Sequence, residues 1–238
     1  MKTVRTAIAA LALTGAALPA LANIITNPSF ELTPGPGTGQ GLLPANWINL
    51  APPPGADTFS NDGSYGVFPN AFGNFPGVTA HDGLRWVAGG SGGIPINLVP
   101  EVFGQVLSTP LAPGATYQLS AYLIAAQRTD ISGAGAYRVS LARDAASVAS
   151  AIFLGSFDPV SSTTQWQARS FTFVAPAGAR ELPLLVFTPY AGGTRTAYPG
   201  IDSLSLTGEA VPEPGLMGLV AAGLLALGAW GRRRCLRP

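Results

Sequence analysis

The chain has 238 residues, of which 11% are charged and 47% hydrophobic, and a net charge of +1. Between Asn23 and Glu209 there are seven arginines, no lysine and eleven acids, a balance of −4. This argues against a nucleic-acid partner, because phosphate binding needs concentrated Lys and Arg. The one cysteine is Cys235, so the body of the chain has no disulfide and must rest on a hydrophobic core or a bound ion.

At the start, Lys2 and Arg5 precede an apolar run from Ala7 to Leu18 and then Ala20-Leu21-Ala22. A charged region, a short apolar region and a small-x-small site predict a secretory signal peptide over 1–22. The next long stretch, 33–80, is rich in Gly, Pro and Phe and gives no strand pattern. Strands are predicted at "LRWVAG" (84–89) and "VFGQVLSTP" (102–110). "TYQLSAYLI" (116–124) alternates, with Tyr117, Leu119, Ala121 and Leu123 on one face. "AYRVSLAR" (136–143), "RSFTFVA" (169–175), "ELPLLVFTP" (181–189) and "GIDSLSLTG" (200–208) complete the series, with the short turns "LAPGA" and "APAGA" between. The best helix candidate, "LARDAASVASAIF" (141–153), lacks an apolar stripe. Seven or eight short strands with turn punctuation predict an all-β sandwich over 23–208.

Residues 209–214 read as an extended linker, because Pro212 and Pro214 stop a helix from continuing upstream. From Gly215 to Trp230 no residue is charged, and Arg232, Arg233 and Arg234 follow. A transmembrane helix over 215–231 with a basic cytoplasmic tail over 232–238 is expected. Val211, Pro212, Glu213 and Pro214, the apolar run and the three arginines together resemble the PEP-CTERM sorting signal of Gram-negative bacteria. The resemblance implies an exosortase as processing partner, transient anchoring in the inner membrane, and release to the cell surface or an extracellular exopolysaccharide matrix. Within the body, "NIITNPSFE", "GQVLSTPLAPGATYQLSAYL", "WQARSFTFVAPAGA" and "GIDSLSLTG" follow in an order similar to the galactose-binding-like jelly roll of carbohydrate-binding modules. The stretch 33–80 departs from that pattern.

Three sets of residues suggest chemistry. Glu31 and Asp202 lie next to the first and last strands, which are neighbours in a jelly roll. With the loop at Asp82-Gly83 they suit a structural Ca²⁺, which takes six to eight oxygens; the other reading is that these acids cap turns or accept backbone N–H groups. The aromatics Trp47, Trp86 and Trp166, with Tyr65, Phe68, Phe72, Phe75, Tyr190 and Tyr198, offer faces for sugar rings. Tyr65, Phe68, Trp86 and Tyr190 are the candidates carried forward, against the alternative that they fill the core. Gly89-Gly90-Ser91-Gly92-Gly93 spells GxSxG, but the only histidine, His81, precedes it and no helix follows, so it reads as a glycine-rich loop. Carboxylates are numerous enough for glycoside hydrolysis, yet no pair stands out.

These observations lead to the expectation of an exported, non-catalytic surface protein that binds polysaccharide or is embedded in it. Two alternatives stay open: a secreted polysaccharide hydrolase or lyase, and a matrix protein without a defined ligand.

Overall fold

The computed structural model describes residues 22–53, 55–92 and 99–208. The signal peptide up to residue 21, Val211–Pro214, the expected helix over 215–231 and Arg232–Arg234 lie outside the described residues. Among those described, no helix is long and apolar enough to cross a membrane.

The strands are β1 (Gly37–Thr38), β2 (Ile48–Asn49), β3 (Asp57–Ser60), β4 (Tyr65–Gly66), β5 (Arg85–Ala88), β6 (Phe103–Val106), β7 (Thr116–Ala125), β8 (Gly135–Ala142), β9 (Ile152–Ser156), β10 (Gln167–Val174), β11 (Leu184–Ala191) and β12 (Pro199–Gly208). They build two five-stranded antiparallel sheets, ordered β10-β7-β12-β5-β3 and β2-β6-β11-β8-β9, and a small parallel pair β1-β4. The arrangement is a β-sandwich with jelly-roll features, in which sequence neighbours rarely pair.

Period-two alternation decides which face of each strand is buried. Leu119, Ala121 and Leu123 of β7 and Ile201 and Leu206 of β12 meet Val139 and Leu141 of β8 and Leu185 and Phe187 of β11 in one core. Fully burying each Leu or Phe contributes roughly 1.5–3 kcal/mol, so this interface dominates stability. Trp47 closes one part of it, with its ring 4.9 Å from Phe30 and 5.8 Å from Phe103. The opposite face of the first sheet carries a second cluster. Phe59 of β3, Trp86 and Ala88 of β5 and Ile124 of β7 pack there with Phe75, Ile131 and Tyr198.

The predicted strands from 84 onward are present. The helix candidate at 141–153 is instead the end of β8, a 3-10 helix over Ala145–Ser150 and the start of β9. Asp144 caps that helix in a reciprocal box with Ser147, and without an apolar stripe nothing extends it. The stretch 33–80 holds four very short strands linked by turns. Gly66 shows why the chain is so constrained there. Its φ is +75°, and a Cβ would lie 2.1 Å from the Thr58 carbonyl, so no larger residue fits without movement.

Candidate active-site cavity

Seven separate stretches of chain come together around a cavity of about 180 Å³. Asp57 opens β3 and pairs with Ala88. Just past Ala88, Gly89-Gly90 leave β5 and run against Glu101, two residues before β6. A Cβ on Gly89 would lie 2.9 Å from the Glu101 carbonyl, so glycine permits this approach. Gly90 N–H donates to Glu101 Oε2 at 2.7 Å, while Glu101 N–H donates to the Gly90 carbonyl at 3.0 Å. Thr196 and Tyr198 arrive just before β12, and Arg128 and Ile131 just after β7. Gln40, Phe72 and Asn74 complete the wall from the 33–80 stretch. Phe72 is 57% exposed and has a left-handed φ of 55°.

The electrostatics of the cavity follow from its two buried acids. Asp57 is 3% exposed and Glu101 7%. Asp57 accepts from Gly41 N–H at 2.7 Å and from the Tyr198 hydroxyl at 2.7 Å. Burial raises the Asp57 carboxyl above its ordinary range in spite of those donors. Glu101 is pushed up to about 7, first by burial and then by the neighbouring Asp57, against the lowering effect of Gly90 N–H. Tyr198 is held well above the usual phenol value by burial and by the same two acids. Arg128 does not relieve this charge, because its guanidinium is engaged by Asp130 in two hydrogen bonds of 2.6 and 2.7 Å. A carboxyl that titrates near neutrality in an apolar-walled cavity can hold a proton and deliver it.

The predicted calcium residues come together elsewhere, in a different arrangement. Asp202, fully buried in β12, accepts His81 N–H at 2.9 Å and Asp82 N–H at 3.0 Å on one oxygen, and Ser203 N–H at 2.6 Å on the other. Glu31 accepts Leu84 and Arg85 N–H groups at 2.9 and 2.8 Å and pairs with the Arg85 guanidinium at 3.2 Å. Asp82 accepts from the Ser29 hydroxyl at 2.8 Å. These oxygens face donors, one of them a cation, and among the described residues no group of three or more His, Cys, Asp or Glu can hold a metal. The reading as acceptors of backbone N–H groups is the one observed. Asp202 is also raised to about 7 by burial, yet it lines none of the described cavities.

The sugar-binding candidates divide. Trp86 is fully buried, stacked on Phe59 and edge-on to Phe75, so its faces are not open to a ligand. Tyr65 is 4% exposed and donates to the Leu43 carbonyl at 2.7 Å, which also corrects its assignment as a contact residue. Tyr190 is half-buried, donates to the Phe157 carbonyl at 2.6 Å and lies under Arg138. Phe68 is exposed. Of the wider aromatic set, Phe72 and Tyr198 reach the cavity, and Trp47 and Phe75 are core. In the glycine-rich loop, Ser91 Oγ accepts Ala197 N–H at 3.0 Å and donates to the Gly92 carbonyl at 3.2 Å, a structural tie. Asn74 lies in the run 59–75, whose mix of aromatics with Asn61, Asp62, Asn70 and Asn74 has the composition of a binding loop, whereas Asp57 and Glu101 were not distinguished as a site by sequence reasoning. The available signal was an acid at the head of an apolar run, "ADTF" and "PEVF", in each case.

Residues 22–183, more than half of the chain, match the profile of the HpiC1-like family, described as HpiC1 cyclase. The match includes every cavity residue except Thr196 and Tyr198. No curated protein sequence matches the chain. Among solved structures, a cyclase from Fischerella sp. TAU is similar at 16% identity and TM-score 0.48, over 81% of this chain and all of that one. An arabinose-bound GH51 α-L-arabinofuranosidase is similar at 16% identity and TM-score 0.50, over 81% of this chain and 27% of that one. A family 61 carbohydrate-binding module in complex with β-1,4-galactotriose is similar at 14% identity and TM-score 0.41, over 79% and 99%. At 16% identity the likeness to the arabinofuranosidase is one of fold alone. The match to a cyclase family overturns the expectation of a non-catalytic protein.

Proposed function

Since the chain belongs to the HpiC1-like family of cyclases, we propose that it is an enzyme that closes a ring in a small, largely apolar substrate by proton transfer inside the cavity. The observation that carries this reading is a buried carboxyl, Glu101, raised to about 7 in a wall shared with Phe72, Ile131 and Tyr198. Protonated Glu101 is the acid that activates the substrate. Asp57, fixed by Gly41 and Tyr198, sits beside it, stabilises the positive charge that develops and takes up the proton the substrate releases as the ring closes.

A ring closure of this kind is an isomerisation, so mass is conserved. The test follows metabolite extracts by chromatography and mass spectrometry for a species whose retention changes at constant mass when the protein is added. Glu101→Gln should lower that conversion by roughly 10²–10⁴-fold, the usual contribution of a positioned acid. Conversion that survives the substitution unchanged refutes the assignment.

The setting of the reaction is part of the same proposal. The body is exported by the 1–22 leader, and the Pro-Glu-Pro segment with the apolar run and Arg232–Arg234 marks it for an exosortase. What supports this is the order and spacing of those parts. Mass spectrometry of the mature protein should find peptides ending near Pro214. Contact with surface polysaccharide through the exposed rings of Phe68 and Phe72, 55% and 57% exposed, belongs to this reading and is tested on a glycan array with Phe68→Ala and Phe72→Ala.

A further inference from the structure

Asn74 is 3% exposed, and its amide oxygen has no hydrogen-bond partner among the described residues. The residue is not loosely placed. Asn74 N–H donates to the Ala71 carbonyl at 3.1 Å, and its carbonyl accepts Gln127 N–H at 2.7 Å, so the turn and the segment after β7 hold it against the cavity it lines. A buried amide oxygen without a donor costs free energy, and buried polar groups left unpaired in native structures call for an explanation. The neighbouring groups do not supply the donor. The Tyr198 hydroxyl is committed to Asp57, two N–H groups of the Arg128 guanidinium go to Asp130, and none reaches the Asn74 oxygen. The cavity lining therefore combines two buried acids, the side chains of Phe72 and Ile131, and a buried residue whose amide oxygen has no partner.

We infer that the Asn74 amide oxygen accepts a hydrogen bond from the substrate, and that the cavity takes a ring-sized, otherwise apolar molecule bearing one N–H or O–H donor. This rests on the cavity being the ligand site. Asn74 is a positioning residue: it fixes which way round the substrate lies, so that the donor-bearing end is away from Glu101 and the proton-accepting end faces it. A site with a buried acceptor rejects a molecule lacking the donor, because the acceptor is then left desolvated and unpaired.

The experiment uses the full chain and two matched probes, phenol and its methyl ether anisole, titrated while the amide resonances of Asn74, Gly90 and Ile131 are followed by NMR. The expected result is that both probes shift these resonances and that phenol binds roughly 5–10-fold more tightly, the worth of one net hydrogen bond. In Asn74→Leu that preference disappears, while in Glu101→Gln it persists. Equal binding of the two probes to the unsubstituted protein overturns the inference, with water serving the amide, and leaves the cavity reading intact. Loss of the preference in Glu101→Gln instead assigns the donor contact to the acid and also overturns it. Binding of neither probe at these resonances sinks the cavity as a ligand site, and with it the role of Asn74. The comparison within the unsubstituted protein decides the matter even if Asn74→Leu fails to fold.

Discussion

Two regions of this molecule gather carboxylates, and they differ in how completely the oxygens are used. Around Asp202, three backbone N–H groups converge on one side chain, and Glu31 nearby takes two more N–H groups and a guanidinium. Around Glu101, the carboxyl has one backbone donor, a second acid beside it and a cavity in front. Glu101 and Asp202 are both raised to about 7 by burial, so the titration alone does not separate them. What separates them is that the Asp202 and Glu31 oxygens in the first region all face donors, whereas the second borders a space. A buried acid whose oxygens are all spoken for holds loops together; a buried acid with capacity to spare can act on a guest.

That contrast can be broken experimentally, and the largest effect is expected in the closed region. Asp202→Ala leaves the N–H groups of His81, Asp82 and Ser203 without their acceptor. At roughly 1 kcal/mol or more per orphaned donor, the loss is about 3 kcal/mol, or roughly 10 °C in melting temperature for a domain of this size. Calorimetry reads it. A loss below about 1 kcal/mol would mean that these loops are held by something else.

The pH dependence of stability comes next. Glu101 and Asp202 are raised in the folded state from ordinary values of 4.5 and 3.8. A carboxyl with a raised folded value binds its proton more tightly when folded. Its contribution is therefore fully present below the unfolded value and lost as pH rises through the folded one. The protein should lose stability between about pH 4 and pH 7, and Glu101→Gln should flatten part of that decline, by on the order of 3 kcal/mol at alkaline pH. Urea unfolding at pH 5 and pH 8 checks both statements; equal slopes for the two proteins would remove Glu101 from the buried, neutral state.

The smaller effects sharpen the same contrast. Phe72→Ala, at an exposed ring on the cavity rim, should change stability by no more than about 0.5 kcal/mol while weakening phenol binding. Adding Ca²⁺ in place of a chelator should leave the melting temperature unchanged, because the Glu31, Asp82 and Asp202 oxygens already face donors. A rise of several degrees would show that the acids reorganise around the ion.

The sandwich was legible from strand alternation alone where one face is buried and the other wet. In β7, Leu119 and Leu123 go inward while Gln118 and Ser120 go outward, and period two announces it. β11 was found as an apolar run, because Leu184 and Val186 are buried on its second face as well. The stretch 33–80 was not legible. Its strands are two to four residues long, too short for any period, and turns such as the one at Gly66 are set by close approach to a distant carbonyl. The cavity was hidden for a related reason. Asp57 and Glu101 are 44 positions apart and meet only through the β3-β5 pairing and the Gly89-Gly90 exit. For Glu31, Asp82 and Asp202 the sequence left two readings open, a calcium ion or acceptance of backbone N–H groups, and only the folded chain shows N–H groups on the oxygens of Glu31 and Asp202. The same limit applied to Trp86, whose ring looks available until Phe75 and Val78 are seen packed with it, and to Tyr65, which lies against Gly37 and bonds the Leu43 carbonyl.

The central claim is that Glu101 keeps its proton close to neutrality while lining an open cavity. The most direct measurement is an NMR titration of the Glu101 side-chain carboxyl carbon in the folded protein. A midpoint near 7, falling when Asp57 is replaced by Asn, is the result predicted here; a midpoint near 4.5, unaffected by Asp57→Asn, would contradict it.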